Sequence, residues 1–188
     1  AAELDKLKFP ILFKPVDSGG GIGIQSFADQ KTFLAFLDAN SSKLRAIAQS
    51  HVAGYDVDCS VLCRDGNILA NTIQKSFLPR KNKYGRDEAI EFIDHPNALE
   101  VVRKLMRALN WNGVAHVDLR FDEADGQSKV LDFNPRYWMS LLGSLAAGVN
   151  FPYLACQTAL DIEFNRPVAR KGKFFTAEAA AKQIFKRG

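Results

Sequence analysis

Val130-Leu131-Asp132-Phe133-Asn134-Pro135-Arg136, together with His116-Val117-Asp118-Leu119-Arg120 about a dozen residues earlier, is the stretch on which the fold turns. Each half is a short apolar strand carrying acidic or amide oxygens. Asp125-Gly126 between them is a turn signal, so the halves fold back as an antiparallel hairpin. Side chains alternate along a strand, which puts Asp132 and Asn134 on one face, and pairing brings Asp118 opposite them. Two carboxylates and an amide oxygen on one small patch suit Mg²⁺, a hard cation bound through few protein oxygens and completed by phosphates and water.

Working outward from that hairpin, Tyr55–Arg64 and Asn67–Ser76 read as two longer strands joined at Asp65-Gly66. Phe9–Pro15 and Ala46–His51 read as shorter strands. Phe27–Ala39 and His95–Leu109 carry apolar residues at helical spacing, the second through Leu99, Val102, Leu105, Met106 and Leu109. Val149–Asp161 is a helix with Pro152 in its first turn. Trp138–Gly148 reads as an apolar connection of small residues, Leu78–Ile90 as a polar, basic loop, and Thr176–Phe185 as a last amphipathic segment. The pattern is α+β, in two lobes: residues 1–76 and residues 77–188.

Composition narrows the class. With 47% hydrophobic and 24% charged residues in 188, the chain has the make-up of an ordinary globular domain. A net charge of +4 favours a polyanionic small molecule. No basic run is interleaved with aromatics, so a nucleic-acid partner is not expected. No apolar run reaches the roughly twenty residues that span a bilayer, and no signal-peptide pattern opens the chain, which argues against a membrane partner. The three cysteines, Cys59, Cys63 and Cys156, make neither a disulfide framework nor a zinc set and read as buried reduced thiols in a cytoplasmic protein. Both ends read as cuts in a longer polypeptide.

Other residues gather around a phosphate ligand. Ser18 and glycines 19, 20, 21 and 23 form a loop whose backbone N–H groups can approach phosphate oxygens. It lacks the Gly-Lys-Ser/Thr of a P-loop, and a strand rather than a helix follows it. Lys14, fixed by Pro15, would neutralise phosphate charge. The crossing around Gln49, His51, Val52 and Gly54 offers backbone groups to an adenine edge, with Asp56 able to accept from ribose hydroxyls. Arg136 presents a planar fork to a carboxylate, bicarbonate or phosphoryl group, and Arg120 shares the Asp118 face. The three histidines show no mutual spacing that implies a metal site or a triad.

Lysine-proline, a glycine-rich hairpin loop, Gln49-x-x-Val52-x-Gly54-x-Asp56, and then Asp118 followed by Asp132-x-Asn134-Pro135-Arg136 resembles the ATP-grasp superfamily, on its carbamoyl-phosphate-synthase-like and carboxylate–amine ligase branch. The likeness runs from Phe9 to about Asp161. It implies a nucleotide clamped between two α+β lobes with antiparallel sheets. In that frame Lys14 meets the α- and β-phosphates, the loop from Ser18 to Gly23 covers the triphosphate, and Gln49 with the His51–Val52 backbone holds adenine. Asp56 takes the ribose, and Lys75 is a further adenine or phosphate contact. Asp118, Asp132 and Asn134 carry Mg²⁺, or Mn²⁺ in its place. Arg136 faces the acyl-phosphate side. From its place on the Asp118 face, Arg120 reads as able to take a similar role, and Arg80, Lys81, Lys83 and Arg86 read as a basic loop able to close over the site.

The implied reaction is ATP-dependent joining of a small carboxylate to an amine through an acyl phosphate. The alternatives are phosphorylation of bicarbonate or carbamate, and a nucleotide-binding module without turnover. The resemblance further implies an N-terminal domain of the same polypeptide and leaves room for a homo-oligomer. The chain departs from the family where Asp132 stands in place of the usual glutamate and Asp56 where glutamate is frequent.

Overall fold

The structure is a computed structural model and describes residues 6–40, 45–78, 89–176 and 179–180. In chain order the elements are β1 (Ile11–Pro15), β2 (Gln25–Phe27), α1 (Gln30–Asn40), β3 (Ala46–Ser50), β4 (Gly54–Arg64), β5 (Asn67–Ser76), β6 (Ala89–Phe92), α2 (Pro96–Ala108), β7 (Gly113–Asp122), β8 (Gln127–Asn134), α3 (Leu141–Ala146), α4 (Phe151–Ala159) and β9 (Gly172–Phe175). They form two compact units, one up to Val52 and one from Ala53 onward.

In the first unit, β1 is the middle strand of an antiparallel sheet ordered β2-β1-β3. Alternation along β1 turns Ile11 and Phe13 inward, and both are buried with Phe33 of α1. Phe13, Phe27, Phe33 and Phe36 close this small core with tilted and edge-on ring contacts at 5.0–6.4 Å, the arrangement ring quadrupoles favour. The glycine stretch turns without a strand until Gln25, where the three-residue β2 begins.

The second unit is built on a six-stranded antiparallel sheet ordered β8-β7-β4-β5-β6-β9. Both longer strands belong to it, since β4 pairs with β7 over its whole length. The expected division near residue 76 therefore falls instead at Val52 and Ala53. Two further differences concern local structure. The end of the expected 78–90 loop is strand β6, which pairs with β5 from Gln74 to Ser76, and the apolar connection after Trp138 contains the short helix α3. Both follow from tertiary partners, because a four-residue strand and a six-residue helix carry little periodicity of their own. Arg80, Lys81, Lys83 and Arg86, and most of the Thr176–Phe185 segment, lie outside the described residues.

The Asp65-Gly66 turn is the expected tight hairpin, with both residues at positive φ (48° and 72°), the combination a two-residue type I′ turn requires. Glycine is doubly needed at 66, because a Cβ there would meet the Arg107 Cα at 2.9 Å. The sheet has two unlike faces. Val57, Cys59, Val61, Cys63, Ile73, Ala115, Val117 and Leu119 point to α2 and make the main core with Ala98, Val102 and Met106. Helix α2 starts on Pro96, and the imidazole of His95 caps it, Nδ1 accepting from the Ala98 N–H at 3.1 Å. On the opposite face, Leu62 and Ala70 pack under α4 with Trp138, Val149, Phe151 and Leu154. That cluster covers one end of the face. The other end is polar.

Candidate nucleotide and metal site

The polar end is laid out by strand register. One cross-strand row reads Gln74–Asp58–Asp118–Asp132, running over β5, β4, β7 and β8. The neighbouring row reads Thr72–Ser60–His116–Asn134, and Asp56 lies opposite Arg120. The β7–β8 pair is the hairpin expected from the sequence, closed by a four-residue loop at 123–126 rather than a two-residue turn. Its register shifts between Asp118 and Leu119, leaving Leu131 as an extra residue on β8. Such a bulge re-aims side chains beside it, here those of Asp118 and Asp132.

The three expected metal ligands converge. Asn134 Nδ2 donates to Asp132 Oδ2 at 3.3 Å and lies 3.5 Å from Asp118 Oδ2. Its Oδ1 accepts from Arg136 Nη2 at 2.9 Å, and Arg136 Nη1 donates to the Tyr137 carbonyl at 3.1 Å. A half-turn of the Asn134 amide would turn its oxygen, in place of its NH₂ group, toward the two carboxylates, and Asp118, Asp132 and Asn134 would then together offer oxygens to a cation. An all-oxygen, solvent-facing donor set with few protein ligands fits Mg²⁺.

Around this trio lies a network that spacing along the chain did not single out. His116 Nε2 is 3.2 Å from Asp118 Oδ1 and 4.0 Å from Asp58 Oδ2. Its Nδ1 is 2.8 Å from Ser60 Oγ, and its ring stacks on Trp138 at 5.6 Å with planes 16° apart. Gln74 Nε2 donates to Asp58 Oδ2 at 3.3 Å, while Ser140 Oγ donates to Gln74 Oε1 at 2.8 Å. Asp58, His116 and Asp118 bring their ligand atoms within 4.8 Å of one another, so the histidine spacing concealed a contact made across strands. Polar residues at every second position of β4 (Asp56, Asp58, Ser60) and β7 (His116, Asp118, Arg120) are the one sequence signal that could have revealed it.

Arg120 is occupied differently from the expected acyl-phosphate role. Its Nη1 donates to Asp56 Oδ1 and its Nη2 to the Gly54 carbonyl, both at 2.6 Å. Lys75 does not join the cluster. It follows Gln74 on β5, so alternation sends it to the opposite face, where it pairs with Glu91 at 3.7 Å.

In the first unit, Lys14 Nζ donates to Gln49 Oε1 at 2.6 Å across β1 and β3. Ser18 Oγ donates to the Ile22 carbonyl at 2.8 Å and the Pro15 carbonyl at 3.3 Å, pinning the glycine loop from inside. Gly20, Gly21 and Gly23 all have positive φ, and around Gly19 and Gly20 there is open space where a side chain would stand. The His51 N–H donates to the Pro10 carbonyl at 2.9 Å. Val52, beside it, is half-buried.

An antiparallel sheet with two carboxylates and an amide on its last hairpin, preceded by a separate glycine-loop unit, defines an ATP-grasp protein. The profile of the family described as "ATP-grasp in the biosynthetic pathway with Ter operon" matches residues 45–181, and the chain belongs to that family. It is 25% identical over 144 residues to the carbamoyl phosphate synthase large chain of Clostridium beijerinckii, covering 71% of this chain and 13% of that protein. It is 26% identical over 182 residues to D-alanine–D-alanine ligase of Anaplasma marginale, covering 85% and 53%. The chain thus spans about half the length of that ligase and much less of the synthase.

Among solved structures, the L-amino acid ligase from Bacillus licheniformis superposes with a TM-score of 0.57 at 23% identity, over 85% of this chain and 41% of that one. The biotin carboxylase domain of Hydrogenobacter thermophilus 2-oxoglutarate carboxylase, a complex with MgADP and bicarbonate, gives 0.66 at 15% identity, over 92% and 42%. At these identities the structures establish the shared fold.

Proposed function

We propose that this chain binds Mg²⁺·ATP and that the whole protein uses it to couple a carboxylate to an amine. The observation that supports this reading is the convergence of Asp118, Asp132 and Asn134 on one patch with Arg136 attached to it. In the first step a substrate carboxylate oxygen attacks the γ-phosphorus, the bond to the β-bridging oxygen breaks, and ADP leaves. In the second the amine attacks the acyl carbon and inorganic phosphate departs. Mg²⁺, when held by Asp118, Asp132 and Asn134, supplies charge neutralisation on the phosphate oxygens.

The chain's own residues mainly position the reactants, since phosphoryl transfer needs little covalent help. Lys14, oriented by Gln49, is assigned to the α- and β-phosphates, and the N–H groups of Ser18, Gly19, Gly20, Gly21 and Gly23 to the remaining phosphate oxygens. Gln49 and the His51–Val52 backbone are assigned to adenine. Asp56 is assigned to the ribose, with Arg120 as its positioning residue. Arg136 faces the acyl-phosphate side, where a bidentate guanidinium neutralises the charge that builds on the transferring group. His116 acts through Asp118, holding its carboxylate in the direction the cation requires.

The test is calorimetric binding of ATP with and without Mg²⁺, on this chain and on Asp118→Asn and Asp132→Asn. Binding that needs Mg²⁺ and is lost in both variants is the expected result, and equal affinity in all three overturns the metal assignment. ADP release by the full-length protein, with paired carboxylates and amines, then decides the reaction. Stimulation by bicarbonate alone would move it to the carboxylase-like alternative.

A further inference from the structure

On the α2 side of the sheet, away from Asp118, the second unit holds a groove of about 170 Å³ that the nucleotide reading leaves unused. Its floor is β5 from Asn67 to Asn71, one wall is Arg103 and Arg107 of α2, and the other is Arg166-Pro167. Arg103 forms an ion pair with Glu100. Arg107 and Arg166 make no ion pair and no side-chain hydrogen bond among the described residues. Guanidinium groups gathered around one small volume repel each other until an anion enters.

The floor contributes donors as well. β5 pairs with β4 along its length but with β6 only from Gln74 to Ser76. The outer edge over Asn67–Asn71 therefore meets no further strand among the described residues, and alternate backbone N–H groups of that stretch face away from β4, on the side lined by Arg166 and Pro167. Forked guanidinium donors beside outward N–H groups suit oxyanions. The volume is below the roughly 300 Å³ at which drug-sized ligands begin to fit, so the occupant is compact.

We propose that this groove binds a small oxyanion of two or more negative charges, phosphate- or carboxylate-based, through Arg107, Arg166 and the open edge of β5. The site is separate from the nucleotide patch and independent of the ligase reading. Calorimetric titration of the chain with inorganic pyrophosphate and with citrate, in Mg²⁺-free buffer, tests it. The Arg107→Ala/Arg166→Ala double variant should bind at least tenfold more weakly, and Arg166→Glu alone should remove binding. Lys129→Ala, on the β7–β8 hairpin and outside both sites, should leave both titrations as they are. Tighter pyrophosphate than citrate assigns a phosphate ligand, and the reverse order a carboxylate. The proposal is overturned if neither anion binds at millimolar concentration, or if Lys129→Ala weakens binding while the arginine variants do not.

Discussion

Asp118 and Asp132 stand directly opposite each other across β7 and β8, and the Asn134 amide reaches toward both carboxylates. Two like charges in direct cross-strand register cost roughly 0.2–1 kcal/mol relative to a neutral pair. A sheet tolerates that arrangement where the charges have another use. Asp132→Asn is accordingly expected to raise the melting temperature of the ligand-free chain slightly and to weaken Mg²⁺-dependent nucleotide binding at least tenfold. Thermal melts with and without Mg²⁺·ATP measure both. A variant that melts lower in both conditions would show the carboxylate to be structural.

His95 gives the fold a pH dependence. Its Nδ1 must be unprotonated to cap α2, and Tyr55 Oη lies 3.3 Å from Nε2. Burial holds its pKa below the ordinary histidine value, which in an unfolded chain is about 6.5. A pKa depressed by folding stabilises the native state fully above the unfolded value and ceases to do so as pH falls through the folded one. Denaturant midpoints should therefore drop as pH falls below about 6.5, the unfolded value. His95→Asn, which keeps a capping oxygen without titrating there, should flatten that drop, and His95→Ala should cost about 1 kcal/mol at pH 7.5.

Gly54 starts β4 at φ 120°, and a Cβ there would stand 2.0 Å from the Phe121 carbonyl oxygen. That backbone cannot retreat without breaking the β4–β7 ladder, and the Gly54 carbonyl also holds Arg120. Gly54→Ala should destabilise by about 3 kcal/mol or more. It should also weaken nucleotide binding through the displaced Arg120–Asp56 pair. Chemical denaturation and ATP titration of the same variant read the two effects.

Phe151 opens α4, is fully buried, and meets Trp138 edge-on at 4.7 Å. Trp138 in turn stacks on His116, so the apolar cluster supports the polar one from behind. Phe151→Ala should cost about 3–5 kcal/mol. Unchanged stability would mean that α4 contributes little to holding the sheet.

The cysteines differ in chemistry. Burial raises the Cys59 thiol well above its usual range and pushes Cys63 up to about 12, whereas Cys156 is exposed, contrary to the expectation that all three are buried. Only thiolates alkylate. Iodoacetamide at pH 8 should label Cys156 alone in the folded chain and all three cysteines after denaturation, as mass spectrometry would show. Labelling of Cys63 in the folded chain would mean that the core opens readily.

Much of this protein follows from local chemistry. Strand alternation fixed the shared face of Asp132 and Asn134, Asp-Gly pairs marked both hairpins, and the 3.6-residue period of Val102 and Met106 defined the buried side of α2. These are properties of neighbouring residues, and neighbours along the chain are visible in a sequence. Register between distant strands is not. The tertiary structure alone brought Asp58 of β4 and His116 of β7 beside Asp118, bound Arg120 to Asp56, and moved β4 and β5 into the larger sheet. The reason lies in the hydrogen-bond ladders and the α2 core: pairing β4 with β7 is decided by burying Val57, Cys59 and Val61 against Ala115, Val117 and Leu119, and the polar face is assembled as the reverse side of that burial.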